Sequence, residues 1–192
     1  MKFLKIIFII PIVLTLTGAS IYKLPSEATI NWITIQELEK AMDKNKKKVF
    51  VDIYTNWCGV CKKMDKNTFQ NRVIAKYINK KYHAVKLNAE YKEPIQFKDK
   101  EFNFIARGRS GIHEIAEYVA GKQIIGYPTI SILDENLNVL TSAAAYFTPQ
   151  SIEPVLKFFG ENTYKEDINK DDLVDQKDYE MYRKNFRSSF YR

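Results

Sequence analysis

The sequence predicts an α/β domain in which a mixed central sheet is flanked by helices on both faces. Two patterns carry this prediction. Along the chain, apolar periodicity reads helix, strand, helix, strand, helix, strand, strand, helix. The first two strands are joined through a helix and should pair in parallel, whereas the last two are joined by a short turn and should form an antiparallel hairpin. Composition permits a real core: 45% of residues are hydrophobic and 14% aromatic.

The elements follow in order. Met1 to Lys5 carries two lysines, and Ile6 to Leu16 is almost wholly apolar. Small residues come next, with Thr17 and Ala19 at the spacing a signal peptidase reads. Residues 1–19 therefore read as a secretory signal cleaved near Ala19, or as an N-terminal anchor if the segment is retained. The protein is expected in the periplasm or cell envelope. Residues 20–33 read as a linker, and 34–160 as the folded domain. Thr34 and Glu37 fit a capping box, followed by Ile35, Leu38 and Met42 at helical spacing. Val49–Tyr54 is a buried-strand run. A helix should start near Cys58 and reach about Thr68, with a second helical piece over Arg72 to Tyr82 and a strand over Ala84 to Leu87.

From Glu90 to Glu101 the chain is polar and reads as a surface loop or small hairpin. Ile112, Ile115, Ala116 and Val119 predict one amphipathic helix between Gly111 and Gly121. Arg107-Gly108-Arg109-Ser110-Gly111 has too few glycines, and no preceding strand, for a phosphate cradle. Thr129–Leu133 and Val139–Ala143 are the hairpin strands. Thr148 and Pro149 open the last domain helix, and Gly160 is expected to close it. Residues 161–192 form a charged C-terminal extension. Asp167, Asn169, Asp171, Asp175 and Asp178 stand at calcium-loop spacing with Val174 in the apolar place. Asp172, however, stands where the turn wants Gly, and Asp178 replaces the bidentate Glu. The expectation is a charged linker leading into an amphipathic helix through Tyr179, Tyr182 and Phe186.

Charge excludes little by itself. The formal balance is +7, but the lysines are scattered and Lys46-Lys47-Lys48 is the one run of three, at a turn. Nucleic-acid binding is not expected. Weak attraction to anionic membrane surfaces is, and firm membrane contact only if the N-terminal segment is retained.

Both cysteines are spent on one motif, Trp57-Cys58-Gly59-Val60-Cys61, between a predicted strand and a predicted helix. Residues three apart share a helix face. Cys58 at the helix start meets unpaired N–H groups and the positive end of the dipole, which favour thiolate. Cys58 is thus the candidate nucleophile, and Cys61, one turn in, the resolving thiol. The alternative is an envelope carrier or chaperone for copper or zinc that uses the two thiols. A closed zinc site wants four ligands, so His83 and His113 would both have to converge on the pair.

Several segments together resemble the thioredoxin superfamily, over roughly Ile35 to Gly160. Val51-Asp52-Ile53-Tyr54-Thr55-Asn56-Trp57-Cys58-Gly59 looks like the family's strand entering its active-site turn. The resemblance implies that Asp52 is the buried proton acceptor for Cys61 and that Lys86 is its partner. It implies that Gly126-Tyr127-Pro128-Thr129 carries a cis proline facing the disulfide, with Tyr127 and Pro128 lining the substrate site beside Trp57, Gly59 and Val60. The fold implied is a thioredoxin fold with a helical insertion before the proline loop. The activity implied is protein disulfide exchange without a cofactor beyond the redox-active Cys58–Cys61 disulfide, on protein thiol and disulfide clients, with a membrane-bound electron donor. Val60 stands where common thioredoxins have proline and strong oxidants tend to have His. The chain is therefore most similar to exported reductases such as the C-terminal domain of the periplasmic thiol–disulfide interchange protein, and reductant is the expected direction.

Overall fold

The computed structural model describes residues 29–171 and 175–190. The expected signal segment, the first part of the linker, and Asp172 and Val174 of the tail lie outside the described residues.

Five strands form the central sheet in the order β1-β3-β2-β8-β9. They are β1 (Trp32–Ile33), β2 (Lys48–Tyr54), β3 (Tyr82–Asn88), β8 (Thr129–Leu133) and β9 (Val139–Ala144). β1, β3 and β2 run parallel, and β8 and β9 are antiparallel, as the connections predict. The segment read as linker is ordered sooner than expected: Ile30 is buried, and Trp32 and Ile33 pair with Ala84 and Val85.

β2 alternates, and the alternation sorts the two cores. Val49, Val51 and Ile53 face one side, with Ile35, Leu38 and Met42 of α1 (Ile35–Lys44) and Ile115, Ala116 and Val119 of α4 (Glu114–Ala120). Phe50 faces the other side, with Met64 of α2 (Gly59–Met64), Ile74 and Ile78 of α3 (Arg72–Lys81) and Ile152 and Leu156 of α5 (Pro149–Gly160). Asp52 shares the parity of Phe50, and Lys86 that of Ala84, so their strands turn both toward the α2–α3 side. They are register partners, Asp52 opposite Lys86.

The capping box forms as predicted: the Thr34 N–H donates to the Glu37 carboxylate at 2.8 Å. The helix after the cysteines is not continuous. α2 stops at Met64 and a π-helical turn follows over Asp65–Phe69.

The segment before the proline loop is largely β rather than helical. It holds two hairpins, β4 (Ile95–Phe97) with β5 (Lys100–Phe102), and β6 (Phe104–Arg107) with β7 (Ser110–His113). Ile112 belongs to β7, and the helix begins only at Glu114, where the His113 ring caps it by accepting the Ile115 N–H. Ile112 and Ile115 are both buried, so their spacing mimicked a helix that strand pairing interrupts. Gly111 is required by close packing: a Cβ there would strike the Phe104 ring and the Ile105 carbonyl.

Gly160 is the last residue of α5 rather than a stop beyond it. Its reason is proximity, since a Cβ would sit 3.0 Å from the hydroxyls of Tyr77 and Tyr82. In the tail, α6 (Gln176–Asn185) stacks Tyr179 and Tyr182 on Phe158 of α5. The carboxylate of Asp178 accepts the N–H groups of Ile168, Asn169 and Asp175, at 2.6, 3.0 and 2.8 Å. Among the described residues no helix is long and apolar enough to cross a membrane.

Candidate functional site

The site sits where β2 ends. The chain leaves Tyr54 and turns, with the Cys58 N–H donating to the Thr55 carbonyl at 3.1 Å, and α2 begins at Gly59. This makes Cys58 the N-cap residue of α2. Its sulfur accepts the Cys61 N–H at 3.0 Å, the bond a Ser or Asp oxygen makes in an ordinary cap. Cys58 and Cys61 are joined as a disulfide with Cα atoms 5.3 Å apart, within the span that needs no backbone movement.

The first sulfur is less open than the sequence suggests. Cys58 is only 4% exposed and Cys61 3%. Cys58 Sγ is bonded to Cys61 Sγ and accepts the capping N–H. The exposed rim is made by its neighbours: Trp57 at 66% and Val60 at 49%, with Gly59 also exposed.

Asp52 lies in β2, the central strand that leads into the turn, and is 1% exposed. Lys86 Nζ stands 3.2 Å from its Oδ2, while Oδ1 is buried with no hydrogen-bond partner among the described residues. Burial raises the Asp52 carboxyl to about 6, against the pull of the Lys86 ammonium, and with a further push from the Asp65 carboxylate. The pairing of Asp52 with Lys86 that the resemblance implies is present in space.

Lys86 has more neighbours than the sequence indicates. It also forms an ion pair and hydrogen bond with Asp65, the first residue of the π-helical turn. Its ammonium lies 5.0 Å from the Trp32 ring, 5.3 Å from Tyr54 and 5.8 Å from Phe69. One lysine thus serves two carboxylates inside an aromatic wall. Sequence reasoning missed Asp65. The available signal was its place four residues after Cys61, one helical turn on.

Trp57 is held although exposed. Its indole N–H donates to Glu90 at 3.0 Å, and its ring meets Tyr127 edge-on at 5.9 Å. Tyr127 and Pro128 are joined by a cis peptide bond. Pro128 is buried and Tyr127 half-buried. Burial pushes the Tyr127 hydroxyl up, as do the charges of Glu90 and Glu117, opposed by Arg107. Arg107 and Glu117 pair at 3.1 Å and tie β6 to α4. The inserted segment therefore borders the proline loop. The sequence places Glu90 in a surface loop or small hairpin, and nothing in a polar stretch marks which acid will reach an indole.

The histidines stand elsewhere. His83 Nε2 meets the Asn45 carbonyl, and His113 Nε2 the Glu93 carbonyl. Among the described residues no group of three or more His, Cys, Asp or Glu side chains is placed to hold a metal ion.

Comparison with known proteins agrees with this geometry. A family model described as Thioredoxin-like matches residues 32–134. An uncharacterized protein of Archaeoglobus fulgidus is 32% identical over 78 residues, 41% of this chain and 61% of that relative. The match thus spans less than two thirds of the relative's own length. A solved thioredoxin-fold protein from Helicobacter pylori superposes with a TM-score of 0.54 at 20% identity, over 82% of this chain and 91% of that one. A solved oxidoreductase named DsbH superposes with a TM-score of 0.50 at 15% identity, over 76% of this chain and 95% of that one. At these identities the two structures speak for the fold alone.

Proposed function

The chain belongs to the thioredoxin-like family, and on that premise we propose that it is a thiol–disulfide oxidoreductase acting on protein disulfides in the cell envelope, as a reductant. One observation carries the reading: Cys58 caps a helix with its sulfur, bonded to Cys61, while the strand that leads into the pair carries a buried acid of raised pKa. The buried acid costs the fold stability, so its place points to chemistry rather than to packing.

The geometry supports the following steps. In the reduced protein the Cys58 thiolate attacks a client disulfide and expels one client thiolate. The capping N–H and the helix dipole favour that thiolate. Cys61 then passes its proton to Asp52 and attacks Cys58 Sγ. The second client thiolate leaves, and the Cys58–Cys61 disulfide remains. Two electrons have moved to the client. Asp52 near pH 6 is matched to accept a proton at neutral pH, where Lys86 holds it as the carboxylate before the transfer. Trp57, Val60 and Tyr127 offer an apolar landing surface for an extended client segment. The reductant direction is supported by Val60, an aliphatic side chain with no donor to stabilise the thiolate further.

The test is insulin reduction driven by dithiothreitol, with the couple's potential measured against glutathione. Turnover should need both cysteines. The potential should lie nearer about −270 mV, as for thioredoxin, than about −120 mV, as for a strong oxidant. A strongly oxidising value would overturn the direction, and turnover surviving Cys61→Ser would overturn the mechanism.

A further inference from the structure

We propose that the pole of the sheet opposite the disulfide is a docking face for an anionic lipid bilayer. β2 and β3 run parallel, and Cys58 follows the C-terminal end of β2. Their first residues, Lys48 and Tyr82, therefore mark the far pole.

Lysines gather there. The end of α1 and the turn after it supply Lys44, Lys46 and Lys47, and the C-terminal part of α3 supplies Lys76, Lys80 and Lys81. Lys44, Lys46, Lys76 and Lys80 are exposed. The two groups form one surface, because Lys47 Nζ donates to the Asn79 carbonyl at 3.0 Å. Acids are absent from its α3–β3 stretch. From Lys66 to Ala89 the sequence has six Lys or Arg residues and no Asp or Glu. Asp43 is the acid beside Lys44. Of the acids on the packed elements, Glu135 is held by Lys48 at 2.7 Å, Glu161 accepts the Tyr77 hydroxyl at 3.2 Å, and Asp134 is bonded to Asn136 and Asn138.

The path of the chain says which polyanion meets this face. The described chain enters the domain on Asn79, the residue before Lys80. The Asn79 side chain donates through Nδ2 to the Thr29 carbonyl at 2.7 Å and accepts the Asn31 N–H through Oδ1 at 2.8 Å. Upstream lies the apolar run Ile6–Leu16, separated from Thr29 by the 12 residues 17–28. Such a stretch spans at most about 40 Å. With residues 1–19 retained, a bilayer that takes up the apolar run has its headgroups within reach of the lysine pole, where anionic lipid attracts each lysine. The disulfide then points away from the bilayer, toward clients.

Amine acetylation of the full chain on vesicles, read by mass spectrometry, tests this. The vesicles are phosphatidylcholine alone, or with about one third phosphatidylglycerol at low salt, where surface fields reach furthest. On anionic vesicles Lys46, Lys76 and Lys80 should label at least about fivefold more slowly, while Lys62 and Lys63 beside the disulfide are unchanged. Neutral vesicles should protect neither set, even if the apolar run inserts. The combined variant Lys44→Gln, Lys46→Gln, Lys76→Gln and Lys80→Gln, all at exposed positions, should lose the protection and keep insulin reduction. Equal labelling of both poles on anionic vesicles, or protection that survives in the variant at Lys47 and Lys81, would overturn the proposal.

Discussion

Asp52→Asn should make the oxidised protein more stable at neutral pH. Folding buries the Asp52 carboxyl and raises it from an ordinary 3.8 to about 6. That rise corresponds to about 3 kcal/mol between the two protonation states. The sign follows from proton binding. Below about pH 3.8 folded and unfolded chains both hold the proton, and Asp52 costs nothing. Between 3.8 and about 6 the unfolded chain releases it while the folded chain keeps it, so stability falls as pH rises. Above about 6 the full cost is present. Asn does not titrate, and Lys86 is not stranded because Asp65 still pairs with it. The variant should therefore gain about 2–3 kcal/mol at pH 7.5 and nothing at pH 3.5. With a urea slope of about 2 kcal/mol per molar, the midpoint should move up by about 1–1.5 M. Paired urea titrations at the two pH values measure this. A variant less stable than the parent at pH 7.5, or a difference independent of pH, would refute the assignment of Asp52 as a desolvated acid. The same variant should slow the second chemical step, because the acceptor for the Cys61 proton is gone.

The remaining expectations concern other residues. Cys61→Ser should halt turnover and accumulate mixed disulfides on Cys58, visible as mass adducts released by dithiothreitol; an adduct-free protein would contradict the order of attack. Asp65→Asn removes a charge that raises the Asp52 carboxyl, so the acid limb of the pH–rate profile should move to lower pH, while Lys86→Met should move it higher. Shifts in the same direction would show that Lys86 is not shared between the two acids. Gly111→Ala forces a Cβ into the Phe104 ring and the Ile105 carbonyl and should cost about 2 kcal/mol by thermal unfolding. Glu153→Ala should cost about 3 kcal/mol, because this fully buried carboxylate accepts the Ser188 hydroxyl and the Ser189 and Phe190 N–H groups. Loss of tail protection in hydrogen exchange should accompany it.

Much of the site was legible in the chain because its logic is local. A strand, a turn and a helix start place Cys58 at a cap and Cys61 a turn later, and strand parity places Asp52 on one face. The pairing of Asp52 with Lys86 came from the family resemblance, and the register of β2 with β3 agrees with it. The rest was not legible because its signals were shared or silent. Ile112 and Ile115 are buried in strand and helix alike. Asp65 and Glu90 are acids among many, and only folding shows that one reaches Lys86 and the other Trp57.

The sequence by itself determined the order of the elements around the thiol pair and at the closing hairpin, the direction of those strand connections and the placement of the pair, since these follow from periodicity, caps and connection length. Only the tertiary structure decided how far Cys58 is covered, which acids share one lysine, and that the segment before Pro128 folds as hairpins. Those outcomes depend on groups distant in the chain competing for the same neighbour, and such competition is resolved in three dimensions rather than along one.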